Sequence, residues 1–185
     1  MNEATCSPFL PDWFKPSALL YMRHEAIDPQ FFVRNRERLL ENLKPNSLVV
    51  IHANDIFPTN ADGTMAFRQN NDLFYLTGVD QEETVLILSP DAVLEEDRAI
   101  LFVRETSEQI AIWEGEKLTK EQATEASGMK NIQWVDAFES AFRRLALQAE
   151  NIYLHTNEYV AASEIVETRN RRFIRRCQEL YPLHN

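Results

Sequence analysis

Glycine is scarce in this 185-residue chain, which has four: Gly63, Gly78, Gly115 and Gly128. No two of them stand close enough for a GxGxxG turn or a GxxxxGK(S/T) loop, so phosphate cradling by a glycine-rich loop is excluded. A GxSxG nucleophile elbow is absent as well. Cysteine is rarer still: Cys6 and Cys177 lie at opposite ends without a CxxC, which argues against a disulfide framework. No Asn-x-Ser/Thr acceptor occurs. No apolar run approaches the roughly 18 residues of a membrane span, and the first thirty residues lack a basic segment followed by an apolar one. Basic charge is the minority: 19 Lys and Arg against 29 Asp and Glu leave a net charge of −10. Such a chain repels a phosphate backbone on average. The expectation is a cytoplasmic protein with neither nucleic acid nor membrane as its partner.

Apolar residues make up 44% of the sequence and charged residues 26%, the balance of an ordinary globular protein. The length predicts a single domain over residues 1–185. Residues 1–28 form a proline-punctuated segment whose Phe9, Leu10, Trp13, Phe14, Leu19, Leu20 and Tyr21 predict that part of it packs. Asp28-Pro29 supplies an N-cap and a first-position proline for a helix over 30–43. Ser47–His52 reads as a buried strand, 53–67 as a loop or wide hairpin, and 70–76 as a short helical turn ended by Gly78. Strands follow at 84–88 and 99–103, flanking an acidic turn at Glu95-Glu96-Asp97. Thr119 and Gln122 predict a capping box for a helix that Gly128 closes, and 132–135 reads as a strand. Asp136 and Glu139 predict a second capping box, before Phe138, Ala141, Phe142, Leu145 and Ala149 at helical spacing. A strand at 151–155 and a helix over 158–180 complete the order. Strands alternating with crossover-length helices predict an α/β fold, a mixed β-sheet flanked by helices on both faces.

The sequence offers little conventional catalytic machinery. None of His24, His52, His155 and His184 sits in HExxH or pairs with cysteine at zinc spacing. His52 and His155 each end a strand, where a hydrogen-bonded boundary residue is the expectation. The carboxylates Glu82-Glu83, Glu95-Glu96-Asp97 and Glu114/Glu116 read as solvated turns. Arg169–Arg176 is the one basic patch: Phe173 is expected to face the core, with the arginines balanced by Glu158, Glu164, Glu167 and Glu179.

The most specific segment is Phe67-Arg-Gln-Asn-Asn-Asp-Leu-Phe-Tyr-Leu-Thr-Gly78, followed by Glu82-Glu83-Thr-Val-Leu-Ile-Leu88. It packs an arginine, four amide or carboxylate side chains and three aromatics into twelve positions. Physically it is a structured turn whose polar groups cap the backbone while Leu73, Phe74 and Leu76 reach the core. By pattern it resembles the amino-terminal domain of Xaa-Pro aminopeptidase (aminopeptidase P), in the creatinase and prolidase-like group. Arg68, Gln69, Asp72, Tyr75, Thr77 and Gly78 carry the motif. The likeness extends through Leu101-Phe-Val-Arg104, Ile112-Trp-Glu-Gly115 and Tyr153-Leu-His-Thr156, over residues 15–180.

The resemblance implies a creatinase-type N-terminal domain, similar to ribonuclease H in topology, preceding a pita-bread catalytic domain. That second domain would hold two divalent ions, usually manganese, on two Asp, one His and two Glu, and remove the first residue from peptides with proline second. A metal-activated water would attack the scissile carbonyl. None of those ligands belongs to the N-terminal domain, so no catalytic residue, metal ligand or cofactor is assigned here, and the isolated chain is expected to be inactive. Its expected partners are its own catalytic domain, further copies in a homo-oligomer, and the peptide substrate of the full-length enzyme. The resemblance also implies that an aromatic residue before the motif tyrosine helps wall the active site. Here that is Phe74, where a relative can have Trp. The alternative is a module of the same fold that binds proteins or peptides without cutting them, as in a histone-chaperone subunit. Metal-position Asp, His and Glu downstream of residue 185 would distinguish the two.

Overall fold

The computed structural model describes residues 27–61, 63–156 and 167–184. The expected packing of 1–28 therefore falls almost wholly outside the described residues. The chain runs α1 (Pro29–Leu40), β1 (Ser47–His52), α2 (Asn71–Thr77), β2 (Val85–Leu88) and β3 (Ala99–Val103). It continues through α3 (Glu108–Glu114), α4 (Lys120–Ser127), β4 (Asn131–Trp134), α5 (Phe138–Ala146), β5 (Asn151–Leu154) and α6 (Arg169–Leu180).

The five strands form one mixed sheet in the order β4-β3-β2-β1-β5. β2 is antiparallel to both β1 and β3, whereas β1–β5 and β3–β4 are parallel. Four strands thus point one way, and their carboxyl ends share one edge of the sheet. Such an edge is where open α/β sheets place ligands.

Helices cover both faces, as the alternation of elements predicts. Val49 and Ile51 of β1 join Leu73 and Leu76 of α2 and Ala123 and Ala126 of α4 on one face, with Leu39 and Leu40 of α1 against them. Leu48 and Val50 face the other way, onto Phe138, Phe142 and Leu145 of α5 and Phe173 and Cys177 of α6. Every residue of β1 is buried, which explains its unbroken apolar run. Each fully buried leucine or phenylalanine contributes about 2 kcal/mol relative to exposure.

Local chemistry sets most boundaries. Asp28 accepts a hydrogen bond from the Gln30 amide ahead of Pro29, starting α1 as expected, and the helix ends at Leu40. Thr119 and Gln122 form the reciprocal capping box of α4, and Gly128 closes it at φ +67°. The second expected box does not form. A 3₁₀ turn over Val135–Ala137 runs straight into α5, whose N-cap Ala137 has no side chain to offer, and Glu139 turns to Arg176 instead. Nor is the last helix continuous from 158. Residues 157–166 are outside the described set, Glu167 and Thr168 are not helical, and Thr168 caps α6 by accepting from the Arg171 amide. α3, capped by Ser107, is an element that hydrophobic periodicity does not announce.

Candidate functional site

The segment 67–78 is organised by its own polar side chains. Gln69 Nε2 donates to the carbonyls of Val79 (3.0 Å) and Gln81 (2.8 Å), and its Oε1 accepts from the Asn70 amide (2.8 Å). Asn70 then caps α2, its Oδ1 accepting from the amides of Asp72 and Leu73. At the far end Thr77 Oγ1 donates to the Leu73 carbonyl and accepts from the Val79 amide. Gly78 follows in the left-handed conformation at φ +68°, the backbone state that glycine adopts without penalty.

α1 grips this unit from outside. Asn35 Nδ2 donates to the Tyr75 carbonyl at 2.8 Å. Arg36 Nη1 donates to the Leu76 carbonyl (2.6 Å) and Nη2 to the Ser127 carbonyl (2.9 Å), so one buried guanidinium holds the ends of α2 and α4. Burial lowers the pKa of Arg36 to about 10, against an opposing influence from Glu37. The motif residues are therefore mainly scaffold. Tyr75 and Phe74 keep open surface: Tyr75 is exposed, edge-on to Phe31, while Phe74 is half-buried and edge-on to Phe32 at 6.1 Å. Arg68 is exposed, and its carbonyl accepts from Asn54 Nδ2.

Asp72 reaches across the fold. Its Oδ2 lies 2.5 Å from His155 Nε2, and His155 Nδ1 lies 2.9 Å from Asn170 Nδ2. An amide NH₂ can only donate, so Nδ1 accepts and the proton is assigned to Nε2, facing the carboxylate. His155 is thus the hydrogen-bonded boundary residue expected of it. His52 is not. It is buried, neither ring nitrogen has a hydrogen-bond partner, and it stands edge-on to Phe138 (5.3 Å) and Phe173 (4.6 Å). The strand places it on the inward face, where α5 and α6 offer only rings. Burial, then the positive charge of Arg169, push its pKa down to about 3.

The basic helix is largely paired. Arg172 bonds Asp55, Arg175 bonds Glu167, and Arg176 engages both oxygens of Glu139 at 2.6 Å. Phe173 is buried, as the spacing predicts. Two carboxylates are less solvated than the sequence suggests. Asp97 is buried and held by two nitrogens of Arg144. Burial raises the Glu82 carboxyl, but the hydrogen bond and charge of Lys117 prevail and leave its pKa lowered. Burial raises the Cys177 thiol to about 11, which makes it a poor nucleophile.

Among the described residues no three His, Cys, Asp or Glu side chains converge to hold a metal ion. The described residues do not offer the ligand set of a two-metal centre. What the geometry offers is a rigid platform bearing aromatic surface, with two cavities beside it. One, of about 390 Å³, lies between α1, α2 and β5 with Leu39, Ile51, Leu76 and Tyr153 in its wall. The other, also about 390 Å³, opens at the carboxyl end of β1 beside Phe67, Arg68 and Arg169.

A family model described as aminopeptidase P, N-terminal domain, matches residues 32–153. The Xaa-Pro aminopeptidase of Escherichia coli K12 is 30% identical over 144 residues, covering 77% of this chain and 32% of that protein. Xaa-Pro aminopeptidase 3 of Dictyostelium discoideum is 34% identical over 105 residues, 57% of this chain and 20% of that one. The structure of E. coli aminopeptidase P with the inhibitor Pro-Leu superposes with a TM-score of 0.62 at 26% identity, covering 86% of this chain and 36% of that one. The aminopeptidase PepP of Pseudomonas aeruginosa shares the fold at a TM-score of 0.68 and 22% identity, over 84% of this chain and 32% of that one. The chain spans about a third or less of the curated relatives it matches.

Proposed function

The chain belongs to the aminopeptidase P N-terminal domain family, and from that premise we propose that it is the non-catalytic amino-terminal domain of a metal-dependent Xaa-Pro aminopeptidase. The whole enzyme removes the first residue from peptides whose second residue is proline. Its ions, two divalent metals and most simply manganese, belong to a pita-bread catalytic domain and not to this one. This domain shapes the entrance to that active site and supports a homo-oligomer, in the cytoplasm. No helix among the described residues is long and apolar enough to cross a membrane.

The observation that carries the reading is the match over 32–153, which includes a motif whose Gln69, Asn70 and Thr77 side chains serve to present α2. Gln69, Asn70, Thr77 and Gly78 fix the helix from both ends, and Arg36 and Asn35 anchor it from behind. A surface built this rigidly suits positioning rather than chemistry. Phe74 and Tyr75 give it an apolar and amphipathic face, and Phe74 is the wall residue proposed for substrate. Asp72 lends α2 a further tie through His155 and is a positioning residue.

The test compares the 185-residue chain with the same domain followed by its catalytic half, both supplied with Mn²⁺ and an Xaa-Pro peptide. Release of the first residue is expected from the longer protein alone. Metal-dependent release by the 185-residue chain overturns the assignment of this domain as non-catalytic. A continuation lacking the metal-position Asp, His and Glu overturns the aminopeptidase reading in favour of a binding module.

A further inference from the structure

Arg68 and Arg169 line one cavity, and neither guanidinium has a hydrogen bond or ion pair with any described residue. Their backbones are pinned: Asn54 Nδ2 donates to the Arg68 carbonyl at 3.0 Å, and the Arg169 amide donates to Asp55 Oδ2 at 2.6 Å. The side-chain donors of both arginines stay unused by any described residue. Arg169 is also half-buried, and burial lowers its pKa more than the nearby carboxylates of Glu83 and Asp55 raise it. Those carboxylates already have partners, Arg172 for Asp55 and Arg104 for Glu83. A partly desolvated guanidinium without an acceptor is costly unless a ligand supplies one.

The rest of the cavity is mixed, with Asn54, Asp55, Thr168 and Asn170 beside an apolar side. Phe57 and Met65 line it while 41% and 59% exposed, and Phe67 adds a half-buried ring. Its volume of about 390 Å³ admits a few amino-acid residues. It opens at the carboxyl end of β1, beside the residues that lead into α2.

We propose that this cavity is a binding site for the free C-terminal carboxylate of a short peptide, gripped by Arg68 and Arg169, with its last side chain against Phe57 and Met65. A carboxylate matches the planar fork of a guanidinium. A monovalent anion also suits the site better than a phosphate dianion, because Asp55 stands in the same wall and repels a second negative charge. The inference rests on the reading of this domain as part of a peptidase entrance and names the end of the substrate it would hold. Short peptides with a free C-terminus would be favoured over the same sequence inside a longer chain.

The test is an NMR titration of the 185-residue chain with Ala-Pro-Leu, its C-terminal amide, and inorganic phosphate. The free acid is expected to shift amides around Asn54, Phe67 and Asn170, and the peptide amide to bind about tenfold more weakly, the worth of a charge-assisted hydrogen bond. Arg68→Gln and Arg169→Gln should each weaken the acid by about tenfold while leaving the melting temperature in place. Arg68 is exposed, so Arg68→Gln carries the test even if the change at Arg169 impairs folding. Equal binding of acid and amide, tighter binding of phosphate, or an unchanged affinity in Arg68→Gln overturns the proposal. Binding is read without metal or catalysis, so its failure and the failure of the aminopeptidase reading are separate results.

Discussion

Gly78 and Phe32 occupy adjoining space with no room between them: a Cβ at Gly78 would stand 2.2 Å from Phe32 Cε2. Phe32 is itself buried, and the backbone of Gly78 is left-handed at φ +68°. Two independent costs therefore fall on Gly78→Ala, the strain of positive φ and the overpacking of a ring that cannot retreat. Together they amount to about 3 kcal/mol. Denaturant unfolding should show that loss, and a shift below about 1 kcal/mol would mean that α1 moves away from α2 at little cost.

Arg36 joins the same helices differently. It satisfies the terminal carbonyls of α2 and α4 at once, from Leu76 and from Ser127. Arg36→Met keeps most of the aliphatic stem but leaves two carbonyls without donors. The expected loss is about 2–4 kcal/mol. Hydrogen exchange should accelerate at the C-terminal turns of α2 and α4 more than in β1 or β2. Uniform acceleration would show instead that the guanidinium supports the whole domain.

The elements best announced by sequence are those whose ends carry their own chemistry. Asp28-Pro29, Gly78, and Thr119 with Gln122 and Gly128 all act over a few residues and cap as the sequence predicts, while Asn70, read as the first residue of its helical turn, caps that turn instead. Glu139 shows the limit of that logic. Its position suits a capping box, yet Arg176 of α6 offers a charged bidentate partner, and a local pattern carries no information about it. α3 has Ile112 76% exposed, and none of its described side chains is buried, so no buried stripe among them betrays it. In the candidate site the backbone scaffold around Gln69 and Thr77 was legible through the motif. The meeting of Asp72 with His155, and the placing of Arg68 and Arg169 in the lining of one cavity, depend on strand order and on where α6 begins, and neither is written locally.

His52 makes stability depend on pH. Its pKa is about 3 in the fold, lowered first by burial and then by Arg169, against an ordinary value of 6.5 in the unfolded chain. Above pH 6.5 neither state binds the proton. Below it the unfolded chain does and the fold does not, so stability is lost as pH falls from about 6.5 towards 3, by up to about 1.4 kcal/mol per pH unit. His52→Leu removes that contribution and two unpartnered nitrogens. Denaturation at pH 7.5, 6 and 5 should find the variant increasingly more stable than the parent as pH falls. A constant difference would show that His52 finds a proton partner in the fold.

Phe74 is the residue on which the proposed role in substrate binding turns, and its two duties separate by size. Edge-on packing against Phe32 uses one side of the ring, and the half-exposed remainder is the surface offered to substrate. Phe74→Ala removes both, with an expected stability loss of about 1–2 kcal/mol from the partial burial. Phe74→Trp restores apolar area and adds an indole N–H donor. In the protein carrying its catalytic half, the alanine variant should raise KM for an Xaa-Pro peptide about tenfold, the worth of roughly 1.4 kcal/mol of lost contact, with kcat little changed. The tryptophan variant should return KM to near the parent value. A KM that stays constant in both variants while stability falls in Phe74→Ala would make Phe74 a core aromatic, and the wall would have to be built from Tyr75.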